Sequence, residues 1–262
     1  MTRLVSGAAA LCALALPQAA MADDYFQIGV GADYSSGDYG EDVDTTMLAL
    51  PVSAKVKTGD LILRVSIPYV SVDGPTGVIP GDGGVRGPGR GGGGADPVET
   101  ASRSGLGDIV AAATYSFGLS DATYFDVTGK VKLPTASTEK SLGTGTTDFT
   151  IQGELMQVFG DVSAAVRAGR RFNGESDEFA LDDVWLGGAS LFYVTGDTTW
   201  GIDYDWRDGS LPTAPNRSEV TGSATHKLSD ALRLQGYAYT GLADGSPDIG
   251  AGAQILYRFG NS

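Results

Sequence analysis

Cysteine and histidine are almost missing from this 262-residue chain: each occurs once, as Cys12 and His226. One cysteine makes no internal disulfide and no cysteine-based metal centre. Long apolar runs are missing too. Past the N-terminal segment there is no window of about eighteen apolar residues, so no transmembrane helix is available. Basic residues are scarce: 18 Lys and Arg stand against 32 Asp and Glu, a formal net charge of −14. Such an excess repels phosphate backbones and excludes nucleic acid as a partner. A soluble acidic enzyme fits the same charge, so charge alone does not settle the class. What the chain has in plenty is glycine, 39 residues. Each glycine costs a helix about 1 kcal/mol relative to alanine, which argues against a helical bundle.

Residues 1–22 read as an export signal. Arg3 supplies the positive start, Ala8 to Leu16 form a short apolar run, and Ala20-Met21-Ala22 is an A-x-A cleavage site followed by Asp23-Asp24. Cys12 falls inside this segment, and Leu11 before it does not suit lipoprotein cleavage. The mature chain, 23–262, is therefore expected to carry no thiol.

From there one pattern repeats: about ten residues of alternating apolar and polar side chains, then a turn. Period two gives each strand one apolar and one polar face. In Thr123–Leu133, residues Phe125, Val127, Val131 and Leu133 point one way, and Tyr124, Asp126, Thr128, Lys130 and Lys132 the other. Twelve such segments are expected, at 25–35, 46–57, 60–71, 105–117, 122–133, 147–158, 162–172, 183–194, 198–207, 217–228, 231–240 and 248–259. The eighth is ambiguous, because Trp185, Leu186, Leu191, Phe192 and Tyr193 load both faces.

The connections sort by parity. Turns near 58–60, 119–121, 160–161, 195–197 and 228–230 are tight, whereas 36–45, 72–104, 134–146, 173–182, 208–216 and 241–247 are longer. Transmembrane barrels alternate in this way, with short periplasmic turns and long extracellular loops. A soluble sandwich has no reason to do so. Nine to eleven tilted residues cross the hydrocarbon region. Aromatics such as Phe26, Tyr69, Phe117, Phe149, Trp200, Trp206 and Phe259 sit near segment ends on the apolar face, like the girdles at membrane interfaces. Unpaired backbone groups cost several kcal/mol each in hydrocarbon, so the first strand must pair with the last. The expected fold is all-β: a transmembrane antiparallel up-and-down β-barrel of about twelve strands in a bacterial outer membrane, both termini periplasmic.

Three stretches carry a resemblance. Ser104-Gly105-Leu106-Gly107-Asp108 opens the fourth segment, Lys132-Leu133-Pro134-Thr135 closes the fifth, and Leu142-Gly143-Thr144-Gly145-Thr146-Thr147-Asp148-Phe149 opens the sixth. Their order and spacing resemble the outer-membrane family called "MetA-pathway of phenol degradation". That resemblance implies a transporter-like barrel linked to uptake of small aromatic or apolar compounds. Read physically, Gly105 and Gly107 permit a bend or bulge, Pro134 ends a strand for want of a donor, and Gly143 and Gly145 suit a loop. The motifs thus shape the barrel rim rather than catalyse. Barrels of this kind commonly end on an aromatic residue that the assembly machinery reads. Here Tyr257-Arg258-Phe259 is followed by Gly260-Asn261-Ser262.

Other candidates for chemistry are weak. The run Gly83–Gly94 lacks the following helix and Gly-Lys-Ser/Thr ending of a phosphate loop. It reads better as part of a flexible 72–104 loop, folding inward as a gate, with Arg86 and Arg90 either solvated or against lipopolysaccharide. Asp38, Glu41, Asp42 and Asp44 match no calcium-loop spacing. His226 has no serine motif beside it, and by parity with Val220, Gly222 and Ala224 it faces lipid or the interface. No cofactor, metal or catalytic residue is expected.

That leaves the inward charges. Parity points Lys55, Arg64, Lys130, Lys132, Glu154, Arg167, Arg171, Asp203, Asp205, Glu219, Arg233 and Arg258 into the barrel. At mid-depth on the lipid side a Lys or Arg would cost roughly 2–4 kcal/mol. Both signs occur, so the charges either pair across the lumen and plug it or line a narrow path. Eight strands are filled by side chains and sixteen leave a channel; twelve lies between. Two functions follow: a channel or transporter for small solutes with the charged lumen as selectivity element, or a closed structural or adhesive barrel whose loops bind partners.

Overall fold

The computed structural model describes residues 24–80, 85–86, 99–176, 181–210 and 214–259. The expected signal segment and most of the glycine-rich run lie outside the described residues. Among the described residues there are fifteen strands: β1 (Tyr25–Gly37), β2 (Thr45–Thr58), β3 (Leu61–Pro75), β4 (Val78–Ile79), β5 (Val85–Arg86), β6 (Thr100–Leu106), β7 (Ile109–Gly118), β8 (Thr123–Leu133), β9 (Asp148–Phe159), β10 (Val162–Phe172), β11 (Val184–Thr195), β12 (Thr198–Arg207), β13 (Arg217–Lys227), β14 (Leu232–Gly241) and β15 (Ile249–Phe259). All but β4 and β5 belong to one antiparallel sheet, in which each strand pairs with its neighbours in sequence except that β6 and β7 both pair with β3. β1 closes the sheet on β15, from Phe26 opposite Phe259 to Ser36 opposite Ile249. β6 and β7 are two halves of one stave, both paired to β3. The barrel therefore has twelve staves.

Period two explains which side chains go where. Val30, Ile151, Val166, Ile202 and Ile255 are more than half exposed, on the outer face that a membrane covers. On the opposite face Asp33, Thr150, Ser163, Asp203 and Gln235 are buried inside the barrel. An apolar exterior around a polar interior is the inverse of a soluble fold and the arrangement of a membrane barrel. The aromatic pairs Phe26–Phe259 and Tyr115–Phe117 lie on the outer face near the short-turn end. At that end Asp24 accepts hydrogen bonds from Gly59 N (2.8 Å) and Thr58 Oγ1 (3.0 Å), which hold its carboxyl below the usual range. The ambiguous eighth segment, β11, is resolved by its neighbours. Trp185, Leu191 and Tyr193 face out. Phe192 faces in, over Gly201, where a Cβ would stand 3.0 Å from the Phe192 ring.

The fourth stave departs from expectation. The pairing runs Val70 opposite Gly105, then Ser66 opposite Val110, so the β6–β7 side carries one extra residue. This bulge at Gly107–Asp108 switches the inward face from odd to even positions and aims Asp108 into the barrel. Pro68 offers no donor there; its carbonyl instead accepts from Gly107 N (2.8 Å). β3 and β6 also run four or more residues beyond the expected segment ends, with Val72 opposite Arg103. The stretch 72–104 is thus shorter as a loop than its Gly and Pro content suggests.

Candidate functional site

The inner wall is organised by register. Following paired residues across the sheet from β15 gives Arg258, Gln27, Lys55, Arg64, Ala112, Lys130, Thr150 and Arg171 in one unbroken row. Its only charges are positive. Strand tilt makes the row climb, from the last turn of β15 at the short-turn end to the far end of β10. A second row starts on β8 with Asp126 and continues through Glu154, Arg167, Gly188, Asp205 and Glu219. It carries four carboxylates and one guanidinium. Between the rows lies the neutral strip Thr128, Gln152 and Gly169.

The acidic row is tied together. Arg167 donates to Asp205 Oδ1 (2.6 Å) and Ser190 Oγ (2.7 Å), and Ser190 in turn donates to Asp203 Oδ1 (2.6 Å). Glu154 Oε2 lies 3.9 Å from the same guanidinium. Gly188 makes this reach possible: a Cβ there would sit 2.7 Å from Arg167 Cζ. Asp126 accepts a short hydrogen bond from Ser116. Glu219 is held by Arg217 (2.6 and 2.7 Å).

The basic row has a different character. Arg258 lies over the Tyr25 ring at 3.8 Å, and Lys55 sits 5.4 Å from the same ring. Arg64, Lys57, Arg233 and Arg258 surround Lys55 with like charge. Arg233 Nη1 and Arg258 Nε are buried without a hydrogen-bond partner. Among the described residues, no carboxylate pairs with Lys55, Arg64, Lys130, Arg233 or Arg258. Ion pairs of the lumen join nearby strands of one wall; at a stave spacing of 4.8 Å and a tilt near 40°, twelve staves enclose a barrel about 24 Å across.

The long-loop end holds a third arrangement. The three motif stretches meet there. Lys132 Nζ lies 2.7 Å from Asp148 Oδ2, 3.3 Å from Asp108 Oδ2 and 3.1 Å from Thr144 Oγ1, all buried. Asp148 Oδ1 accepts from Thr146 Oγ1 and Gly174 N, and Asp108 Oδ1 from Ala136 N. Thr135 clasps the bulge: its hydroxyl accepts from Ile109 N and donates to Gly107 O, both 2.9 Å. Gly143 leaves room for Ala136, where an added Cβ would approach to 2.7 Å. Lys132 is therefore held in a rim network rather than free to meet a solute, and Arg171, bonded to Ser210 Oγ (2.7 Å), is engaged likewise.

Above that network Tyr39, Met47, Ala49, Val70, Val72, Val78, Ala136 and Leu142 form a buried apolar cluster drawn from strands and three loops. Burial pushes the Tyr39 phenol up to about 12. Arg103 fastens the cluster, donating to the carbonyls of Ser141 (3.3 Å), Gly74 (3.3 Å), Pro75 (3.1 Å) and, by a shorter contact, Val78. Sequence parity passed over Arg103 because it lay in an apparent loop. Asp126 and Lys57 it left out although their alternation was readable. His226 stands on the outer face with Nδ1 2.8 Å from Thr198 Oγ1, and Asp38 is spent on a local turn, accepting from Gly40 N (2.8 Å).

The motif network carries the family signature, and the comparison of whole sequences agrees. The model of the family described as "Putative MetA-pathway of phenol degradation" matches residues 31–261. The chain belongs to this family. Solved structures extend the likeness at the level of fold. The COG4313 outer membrane channel from Pseudomonas putida F1 is 14% identical, with a TM-score of 0.71 over 93% of this chain and 98% of that one. The KdgM porin is 10% identical, with a TM-score of 0.53 over 89% and 99%. The translocator domain of autotransporter NalP from Neisseria meningitidis is also 10% identical, at 0.53 over 90% and 88%. A comparison with curated protein sequences returns no significant match. This member of the MetA-pathway family thus has the fold of bacterial outer-membrane barrels. The three motif stretches build its rim, and the lumen's charge rows lie outside them.

Proposed function

We propose that this protein is a non-enzymatic outer-membrane channel that passes small solutes through the lumen, with the two charge rows as its selectivity element. The observation that carries this reading is the separation of the rows. Buried charges that serve only stability are paired, since an unpaired buried ion is costly. A row of cations without carboxylates makes sense where water and solute reach it. The COG4313 outer membrane channel has the same fold, and the family's association with phenol degradation favours small aromatic compounds among the solutes. On this reading the short turns and both termini face the periplasm. Outer-membrane lipid surrounds the apolar face, lipopolysaccharide borders the long loops, and the last strand meets the assembly machinery.

The apolar cluster under Arg103 favours a second reading, a closed barrel whose loops bind outside partners. Swelling of liposomes carrying the refolded protein separates the two. Faster swelling in neutral solutes of benzyl-alcohol size than in protein-free liposomes supports the channel. Swelling at the protein-free rate supports the closed barrel.

A further inference from the structure

We infer that the basic row is a binding track for the oxyanion group of small organic acids, with its strongest station at the short-turn mouth among Lys55, Arg64, Arg233 and Arg258. This rests on the channel reading and names its solute class. Four observations converge. The row's charges are all positive and follow one register line across eight staves. At its lower end Lys55 stands among four cations, an arrangement that mutual repulsion opposes unless an anion relieves it. Arg233 Nη1 and Arg258 Nε are buried donors with nothing to donate to. The lumen acids Asp205 and Glu219 are committed to Arg167 and Arg217, and at the short-turn end Asp230 is paired with Lys227 and Asp24 with Thr58 and Gly59.

Guanidinium forks match planar, two-oxygen acceptors, and such charge-assisted bonds are the strong ones. The Tyr25 ring beside Arg258 and Lys55 adds an aromatic surface at the same station. Further up, Lys130 stands two staves from Arg64, about 10 Å along the row at ordinary strand spacing, close enough for handover of a small solute. An aromatic carboxylate combines both needs.

Saturation-transfer NMR on the refolded full-length mature protein in micelles tests this without requiring conduction. Benzoate is expected to show saturation transfer and millimolar affinity; inorganic phosphate, which shares the oxyanion chemistry without the ring, is expected to compete at higher concentration, and benzyl alcohol not at all. The double variant Arg64→Gln/Arg258→Gln is expected to weaken benzoate binding about tenfold, the worth of one charge-assisted bond. His226→Gln, on the outer face away from both rows, serves as the folded control and is expected to bind benzoate as the parent does. Heat-shifted mobility on gels confirms folding of each variant. Benzoate affinity unchanged in the double variant, or equal affinity for benzyl alcohol, overturns the track. If benzoate binds but liposomes do not swell, the channel reading fails and the binding site stands.

Discussion

Replacing Lys132 with methionine is expected to destabilise the folded barrel by about 3–5 kcal/mol, the usual result of removing one partner from a buried ion pair. The size follows from what stays behind. Asp108 and Asp148 have side chains only 6% and 5% exposed, and among the described residues Lys132 is the single cation within 4 Å of both. Without it two carboxylates remain in a space closed by Thr144, Ala136 and Gly174. Asp148 keeps bonds from Thr146 Oγ1 and Gly174 N, but no positive charge. The loss extends beyond the pair, because Asp108 is the residue that the bulge delivers and Thr135 secures. Urea unfolding in lipid vesicles, followed by tryptophan fluorescence, measures it. The triple variant Lys132→Met/Asp108→Asn/Asp148→Asn is expected to recover a large part of the loss, since replacing a whole buried ionic group is often close to neutral. A loss below about 1 kcal/mol in the single variant would mean that the rim network is ornamental.

The second large effect is on permeation. Arg103→Ala is expected to raise the open probability, and with it the mean conductance, several-fold. Four carbonyls from two separate stretches converge on that one guanidinium: Gly74 and Pro75 at the end of β3 with Val78 in β4, and Ser141 before β9. No alanine contact replaces them. Hydrogen bonds to a charged group contribute about 1.5–3 kcal/mol each at most, and here they are spent on loop placement rather than on the sheet. Val72 and Leu142, both 1% exposed, lose the covering segment that buries them. The barrel ladder does not pass through Arg103's side chain, so the variant is expected to fold and insert like the parent. Comparison of its conductance traces with those of the parent checks this. Equal open probability would move the gate elsewhere.

The two variants also mark what could be seen in the chain beforehand. Period-two alternation and the parity of loop lengths predicted the staves, because lipid outside and water inside impose one rule on every strand. The Gly107–Asp108 bulge escaped that rule. A single inserted residue reverses parity, and here it fell where glycine had suggested a strand start, so Asp108 was not placed inside. Arg103 was hidden for a related reason: glycine and proline mark turns by local backbone preference, whereas β6 is a strand only through its pairing with β3. The direction of Lys55 or Glu154 could be read from alternation, but not its height. Height depends on the shear accumulated over all the hairpins, and it is height that sorts the inward residues into a basic row and an acidic row. The motif stretches gave the family, yet their residues build the rim, and the row members Lys55, Arg64 and Asp205 lie outside them.

Single-channel recording of the purified, refolded protein in a planar bilayer tests the central claim, that the lumen is a path for solutes, most directly. The account predicts discrete conductance steps from wild-type protein, with longer openings for Arg103→Ala. Folded, inserted protein that gives no steps, even as the Arg103→Ala variant, would contradict it.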